Sequence, residues 1–302
     1  MSAAAAGAAA IIAALGLVLA AAGARAQVPN ASGLAGDARD ARDLAARVAQ
    51  AGGGTVRLQY PVRPGVCGGG GDGVTVFSAS GAADDRVTVR WTNAGRDCEP
   101  GPARLTLTVE GGTPRALRVA VGGRWRPVTG SAAAGSVGEG TAAASVHDLG
   151  TVSGPVAAAY LLDVAPHIEG AAAERAVLGA AIADATVVWP GLLRLARNGQ
   201  ASDAARRAAT FWAGQFACDA VRSRVRTPDR TDTAGREVRK QVVFALSQRA
   251  GDERVATLTR VARADRDPEV RCAALFWLGQ PSGASEPARR AVDLYEEVLH
   301  GP

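Results

Sequence analysis

Histidine and lysine are nearly missing. Lys240 is the only lysine, and His147, His167 and His300 are the only histidines. His147 lies in a Gly/Ala-rich stretch, His300 at the C-terminal end, and His167 follows Pro166 between helical patterns. A metal centre or proton relay needs convergent ligating or titrating groups, and these three positions offer no such cluster. There is no G-x-S-x-G, no H-E-x-x-H and no nucleotide-binding loop. The glycines from Gly68 to Gly73 lack a closing G-K-S/T and precede no helical pattern, so they read as a loop. The expectation is a non-enzymatic protein with no cofactor and no metal. Aromatics are also scarce, at 4%. Much of the 47% hydrophobic content is alanine, which favours helix but has little area to bury. Any core must rest on few Leu, Val, Phe and Trp residues. Acidic residues are interspersed among the 34 basic ones, so the formal charge of +5 makes no basic face. Nucleic acid is therefore not an expected partner.

Residues Met1 to Ala26 form an apolar run with no acidic residue, ending at Ala24-Arg25-Ala26. That A-x-A ending is the pattern of a cleaved export signal, with cleavage expected after Ala26 and a periplasmic or secreted mature chain. No basic residue precedes the run. The alternative is an uncleaved N-terminal anchor, which would be the only membrane contact.

Export makes disulfides permissible. Cys67 and Cys98 share a β-rich segment and are the natural pair; two separate buried thiols are the alternative. Cys218 and Cys272 lie in the helical half and read as separate buried small residues. Their spacing is not that of a zinc site.

The organisation expected is a signal over 1–26, a linker with a short helix over 27–53, and a small antiparallel β domain over 54–127. A Gly/Ala/Ser-rich linker over 128–152 and an all-α solenoid over 153–302 follow. The class is α+β, multidomain. Asp37 to Gln50 has helical spacing, with Leu44, Ala45 and Val48 on one side. Val56, Leu58 and Tyr60 alternate with polar residues, the period of a half-buried strand. Runs at Val74–Ser78, Val87–Trp91, Leu105–Val109 and Leu117–Val121 repeat the pattern between Gly- and Pro-rich turns. Ser153-Gly-Pro155 is a helix start. Glu286 to Leu299 reads as a closing helix.

The helical half repeats itself. Arg206–Gln215, Arg239–Gln248 and Arg271–Gln280 align without gaps, with Phe211, Phe244 and Phe276 spaced 33 and 32 residues apart. Such a period marks a helix–turn–helix unit stacked into a solenoid. Phe211, Phe244 and Phe276 are expected to line its core, with Trp212 and Trp277 beside them. Arg206, Arg239 and Arg271 fall in register. They form either a ladder for an anionic partner or structural pairs with acidic turns such as Asp265 and Asp267. Asp203, Asp232 and Asp267 sit at different offsets from their arginines, so at least one arginine is expected to lack a partner.

The stretch Asp267-Pro-Glu-Val-Arg271, followed by Ala273 and Leu275, resembles the HEAT-repeat signature. VRKQVVFALSQ and VRCAALFWLGQ resemble HEAT-like domains, of the type seen in bilin lyases, in exported bacterial chains. With the RPGVCG (Arg63–Gly68) and CEPGP (Cys98–Pro102) stretches, the chain is similar to an exported bacterial family of unassigned activity. The resemblance covers about half the chain and implies a protein-interaction scaffold, its partner lying along the concave face. The alternative is glycan or peptide recognition by the β domain, with Trp91 and Trp125 as stacking platforms and the solenoid as support.

Overall fold

The computed structural model describes residues 31–68, 74–77, 88–91, 99–125, 145–185, 187–224, 232–249, 251–280 and 285–301. The expected signal over 1–26, Cys98 and most of the expected linker over 128–152 lie outside the described residues. The fold is α+β.

Helix α1 (Ala31–Gln50) is longer than the 37–50 expected from sequence. Its stripe of Ala41, Leu44 and Val48 is buried. Gly52, at φ 67°, supplies the left-handed residue that turns the chain out of the helix and into the first strand. Strand β1 (Gly53–Tyr60) buries Val56, Leu58 and Tyr60 completely, as its alternation requires. A small antiparallel sheet follows: β2 (Val66–Gly68), β3 (Val74–Phe77) and β4 (Thr88–Trp91) pair in chain order.

Strands β5 (Ala103–Glu110) and β6 (Thr113–Val121) form a hairpin turned by Gly111 and Gly112, both at positive φ, the conformation a two-residue hairpin loop demands. Register puts Val56, Leu107 and Leu117 in one cross-strand row and Leu58, Leu105 and Val119 in the next. All of these side chains are buried on the same face.

The main sheet is mixed, which corrects the antiparallel expectation. Strand β7 (Val146–Thr151) lies in the segment read as linker and pairs parallel to β1, giving the order β6-β5-β1-β7. Without β7, the edge of β1 would present unpaired backbone groups. The strand escaped notice because its sequence, VHDLGT, is polar, short and buries no residue.

The helices continue with α2 (Gly154–Val164), a short 3-10 turn (Ala165–His167), α3 (Gly170–Ile182), α4 (Trp189–Arg197) and α5 (Asp203–Ser223). They end with α6 (Thr233–Ser247), α7 (Gly251–Ala264), α8 (Pro268–Gly279) and α9 (Ser285–His300). Ser153 caps α2 through Val156 N–H, and Ser202 caps α5 through Ala205 N–H.

Sheet and helices share one core. Helix α3 lies on β6, and the Tyr60 hydroxyl at the end of β1 donates to the Gly179 carbonyl at 3.0 Å. A Cβ at Gly179 would come within 2.9 Å of Leu161 and 3.0 Å of that hydroxyl, so only glycine admits the contact. The buried residues of α1, of the β1/β5/β6 face and of the helices form one continuous cluster. The expected linker thus does not separate two independent cores.

The helices form hairpins, but not in chain order. Helices α5, α8 and α6 make one layer and α4, α9 and α7 the other. The α8/α9 hairpin is inserted between α4/α5 and α6/α7. A one-dimensional solenoid keeps its motif helices in sequence and pointing the same way. Here α8 runs parallel to α6, since Arg236 meets Asp267 and Phe244 meets Trp277. It runs antiparallel to α5: Phe211 meets Phe276, and Arg222 meets Glu269.

That juxtaposition explains the largest departure from the cysteine reading. Cys218 and Cys272 are bridged, with Cα atoms 4.9 Å apart, joining α5 to α8. Counted along the repeats they seem remote; the inserted hairpin makes them neighbours. Cys67 is also disulfide-bonded. Replacing Cys218 and Cys272 by serine removes a closure spanning 54 residues, which should cost about 4 kcal/mol in the chain-entropy account. Denaturant midpoints of wild type and double variant measure this. Equal midpoints would mean that the remaining α5–α8 contacts hold the joint alone.

Candidate protein-interaction surface

The α5–α8–α6 layer carries all three sequence motifs, and its geometry starts from its turns. Asp267 caps α8, its Oδ1 accepting from Glu269 N–H at 2.9 Å. Its Oδ2 receives Arg236 Nε at 2.6 Å, in a pair whose side chains are only 10% and 8% exposed. Asp232 caps α6 through Gly235 N–H and accepts from Arg239 at 3.0 Å and Arg266 at 2.5 Å. Those two guanidinium hydrogen bonds, Arg239 foremost, hold the Asp232 carboxyl below its ordinary pKa. Arg239, its own pKa raised by Asp232, also lies 3.6 Å from Asp265 and 3.7 Å from Asp267. It therefore hydrogen-bonds its own turn and forms looser ion pairs with the adjacent one, as a structural pairing would.

The other ladder arginines do otherwise. Arg206 pairs with Asp203 within its own helix. Arg271 has a buried Nε with no hydrogen-bond partner and no ion pair among the described residues. The three do not form a continuous basic row, because α5 is reversed relative to α8 and α6.

The same reversal rearranges the aromatic residues. Trp212 is fully buried, whereas Phe211, Phe276 and Trp277 are half-buried and Phe244 is 44% exposed. The three phenylalanines do not line a common interior. Instead, edge-to-face contacts run from Trp212 to Phe211, on to Phe276 at 6.2 Å and to Trp277 at 5.1 Å, and a tilted contact continues to Phe244 at 5.1 Å. This chain of rings crosses the whole layer and ends in solvent on α6.

Behind the rings, Tyr295 of α9 sits between α5 and α8. Cβ atoms at Gly214 and Gly279, equivalent motif positions, would lie 3.1 Å from its ring and 2.8 Å from its hydroxyl. That hydroxyl donates to the Leu275 carbonyl at 2.8 Å, and burial raises its pKa beyond the ordinary phenol value. Arg254 of α7 closes the other end of α8 by donating to the Trp277 and Gln280 carbonyls, a cation placed where a helix leaves acceptors open.

Helix α6 ends the layer. It buries only Arg236 and Val243. On its opposite side Ala234, Val238, Gln241, Val242 and Ala245 follow a three–four spacing, all uncharged. Val238 is 64% and Val242 52% exposed. Sequence reasoning missed this stripe, although its signal was present. Valines at 238 and 242 beside those at 243 and Leu246 give α6 two apolar faces, and a helix at the end of a layer can bury only one.

On the sheet, Arg57 and Arg104 lie over the Trp125 ring at 5.2 and 5.5 Å. Trp91 is in β4, and its side chain lies outside the described residues. Among the described residues no group of three His, Cys, Asp or Glu is placed to hold a metal, and no helix is long and apolar enough to cross a membrane. No family model matches the chain, and neither the curated proteins nor the solved structures searched contain a match.

Truncating Arg236 to alanine leaves Asp267 buried and unpaired by its closest cation, and should cost about 3–5 kcal/mol, read from denaturant unfolding. A loss under ~1 kcal/mol would show that Arg239 alone compensates. Asp232 gives a pH signature. Its folded pKa lies below the unfolded value of ~3.9, so its stabilisation is complete above that value and is lost as pH falls through the lower folded one. Melting temperature should therefore drop less steeply through the acid limb in Asp232→Asn than in wild type. Parallel acid limbs would remove Asp232 from the account.

Proposed function

We propose that this chain is an exported, non-enzymatic interaction scaffold, with HEAT-like helical hairpins that hold a protein partner. One observation carries the reading. Of the four most exposed large hydrophobic residues described, Val238, Val242 and Phe244 all lie on α6, the other being Val146. Apolar surface clustered on one element is the usual mark of an interaction site, whereas scattered single residues are not. The support falls on the open end of the helical layer rather than along a concave face. The repeated motif and paired helices favour the HEAT-like description; the reversed α5 and inserted α8/α9 hairpin depart from it.

Export is supported by the apolar N-terminus with its A-x-A ending and by the Cys218–Cys272 bridge, which fits an oxidising compartment. The second reading, a glycan stacked on Trp125, has weaker support because two guanidiniums already lie over that ring.

Val238→Glu changes an exposed residue and should leave stability within about 0.5 kcal/mol of wild type. Crosslinking capture in cells, using wild type and Val238→Glu as baits, is expected to show the main captured protein lost from the variant. Equal capture by two equally folded baits would remove α6 as the docking surface.

A further inference from the structure

Helix α8 is fastened to its two neighbours by different chemistry. We infer from this that α6 is an acid-released latch: protonating the carboxylates at its seat undocks α6 as a unit while α5 and α8 stay joined.

On the α5 side the joint is covalent and apolar. The Cys218–Cys272 bridge ties the two helices, Phe211 meets Phe276, and Tyr295 is wedged against Gly214 and Gly279. Disulfides open by thiolate attack, which acid suppresses, and the rings have no charge to lose. The Arg222–Glu269 pair adds to this joint and does not hold it alone.

On the α6 side little apolar surface is enclosed. Helix α6 buries Arg236 and Val243 and nothing else, whereas α8 buries Val270, Cys272, Ala274, Leu275 and Leu278. The other apolar contact of α6 with α8 is the tilted one between Trp277 and a Phe244 that is 44% exposed. Attachment that does not depend on charge scales with apolar area removed from water, and here that area is small.

The rest of the seat is charge. Arg236, Arg239 and Arg266 meet Asp232, Asp265 and Asp267 through five contacts. The same carboxylates also hold backbone: Asp232 caps α6, Asp265 accepts from Asp267 N–H at 2.9 Å, and Asp267 caps α8. A guanidinium keeps its proton at any working pH. Protonating the three carboxyls therefore leaves three like charges facing one another.

No other described charge of the packed elements replaces them. On α7, Asp252 pairs with Arg290, Glu253 with Arg249 and Arg263 with Glu297, while Arg254 is spent on α8 carbonyls. On α8, Glu269 turns to Arg222. Arg260 and Arg271 make no ion pair among the described residues. On α6 itself, Lys240 and Glu237 pair with each other.

The sign follows from Asp232, whose carboxyl lies below its ordinary pKa through Arg239 first and Arg266 next. Its share of docking is complete above the ordinary carboxylate value and is lost as pH falls through the lower, docked one. Undocking parts Phe244 from Trp277 and carries Val243 into water beside Val238 and Val242.

The test is backbone hydrogen exchange on the purified full chain with its bridge intact. It is read helix by helix at about pH 6 and about pH 3 and corrected for intrinsic rates. At the lower pH, α6 should lose about a hundredfold or more of its protection, and α5 and α8 less than about tenfold. Arg236→Ala should give the same selective loss at about pH 6. Arg266→Gln alters an exposed side chain, keeps the fold, and should give a smaller loss confined to α6. Protection of α6 that survives at the lower pH, or that falls together with that of α5 and α8, overturns the inference. The outcome is independent of what α6 binds: a latch without a partner fails only the capture experiment, and a partner without a latch fails only this one.

Discussion

The helical half depends on the joint between α5 and α8. Two different interactions close it within one turn. The Cys218–Cys272 bridge fixes the separation of the helices. Arg222 fixes their angle, its Nε and Nη2 reaching both oxygens of Glu269 at 2.8 and 2.6 Å. A forked guanidinium–carboxylate contact sets orientation as well as distance. The Phe211–Phe276 contact and the Tyr295 wedge then fill the crossing. Everything beyond α8 inherits its position from this joint, including the Asp267 turn that seats Arg236 and Arg239 and the α6 face at the layer's end.

What could be read in advance follows from how locally each feature is encoded. Strands β1, β5 and β6 were legible because a two-residue period needs only a few residues to declare itself, and glycine pairs mark the hairpin. The pairing of Arg239 with Asp232, Asp265 and Asp267 was legible because a motif arginine and acidic turns recur at short range. Strand β7 was not, since VHDLGT has no buried face and is held by backbone pairing to a strand far away in sequence.

The burial of Phe211, Phe244 and Phe276 was misjudged for a different reason. Similar sequence segments imply similar local structure, and α5, α6 and α8 are indeed all helices. Similarity says nothing about which neighbours each copy acquires. Trp212, in the first copy, is enclosed by neighbouring helices, whereas Phe244, in the second, faces water. The cysteine bridge was hidden by the same step, because it depends on a neighbour relation that the order of repeats does not contain.

The insertion of the last hairpin between its two predecessors has a consequence for assembly. In a stack built in chain order, removing C-terminal units peels the structure from one end and leaves the remainder whole. Here the C-terminal hairpin is the keystone. Among the described residues, α6 and α7 meet the body that holds α5 mainly through α8 and α9, so they gain most of their seat only once those two helices have emerged and docked. A chain threaded N-terminus first through a narrow passage would acquire this half only after the last residues were through. Its final step would be the closing of a gap in the middle of the stack.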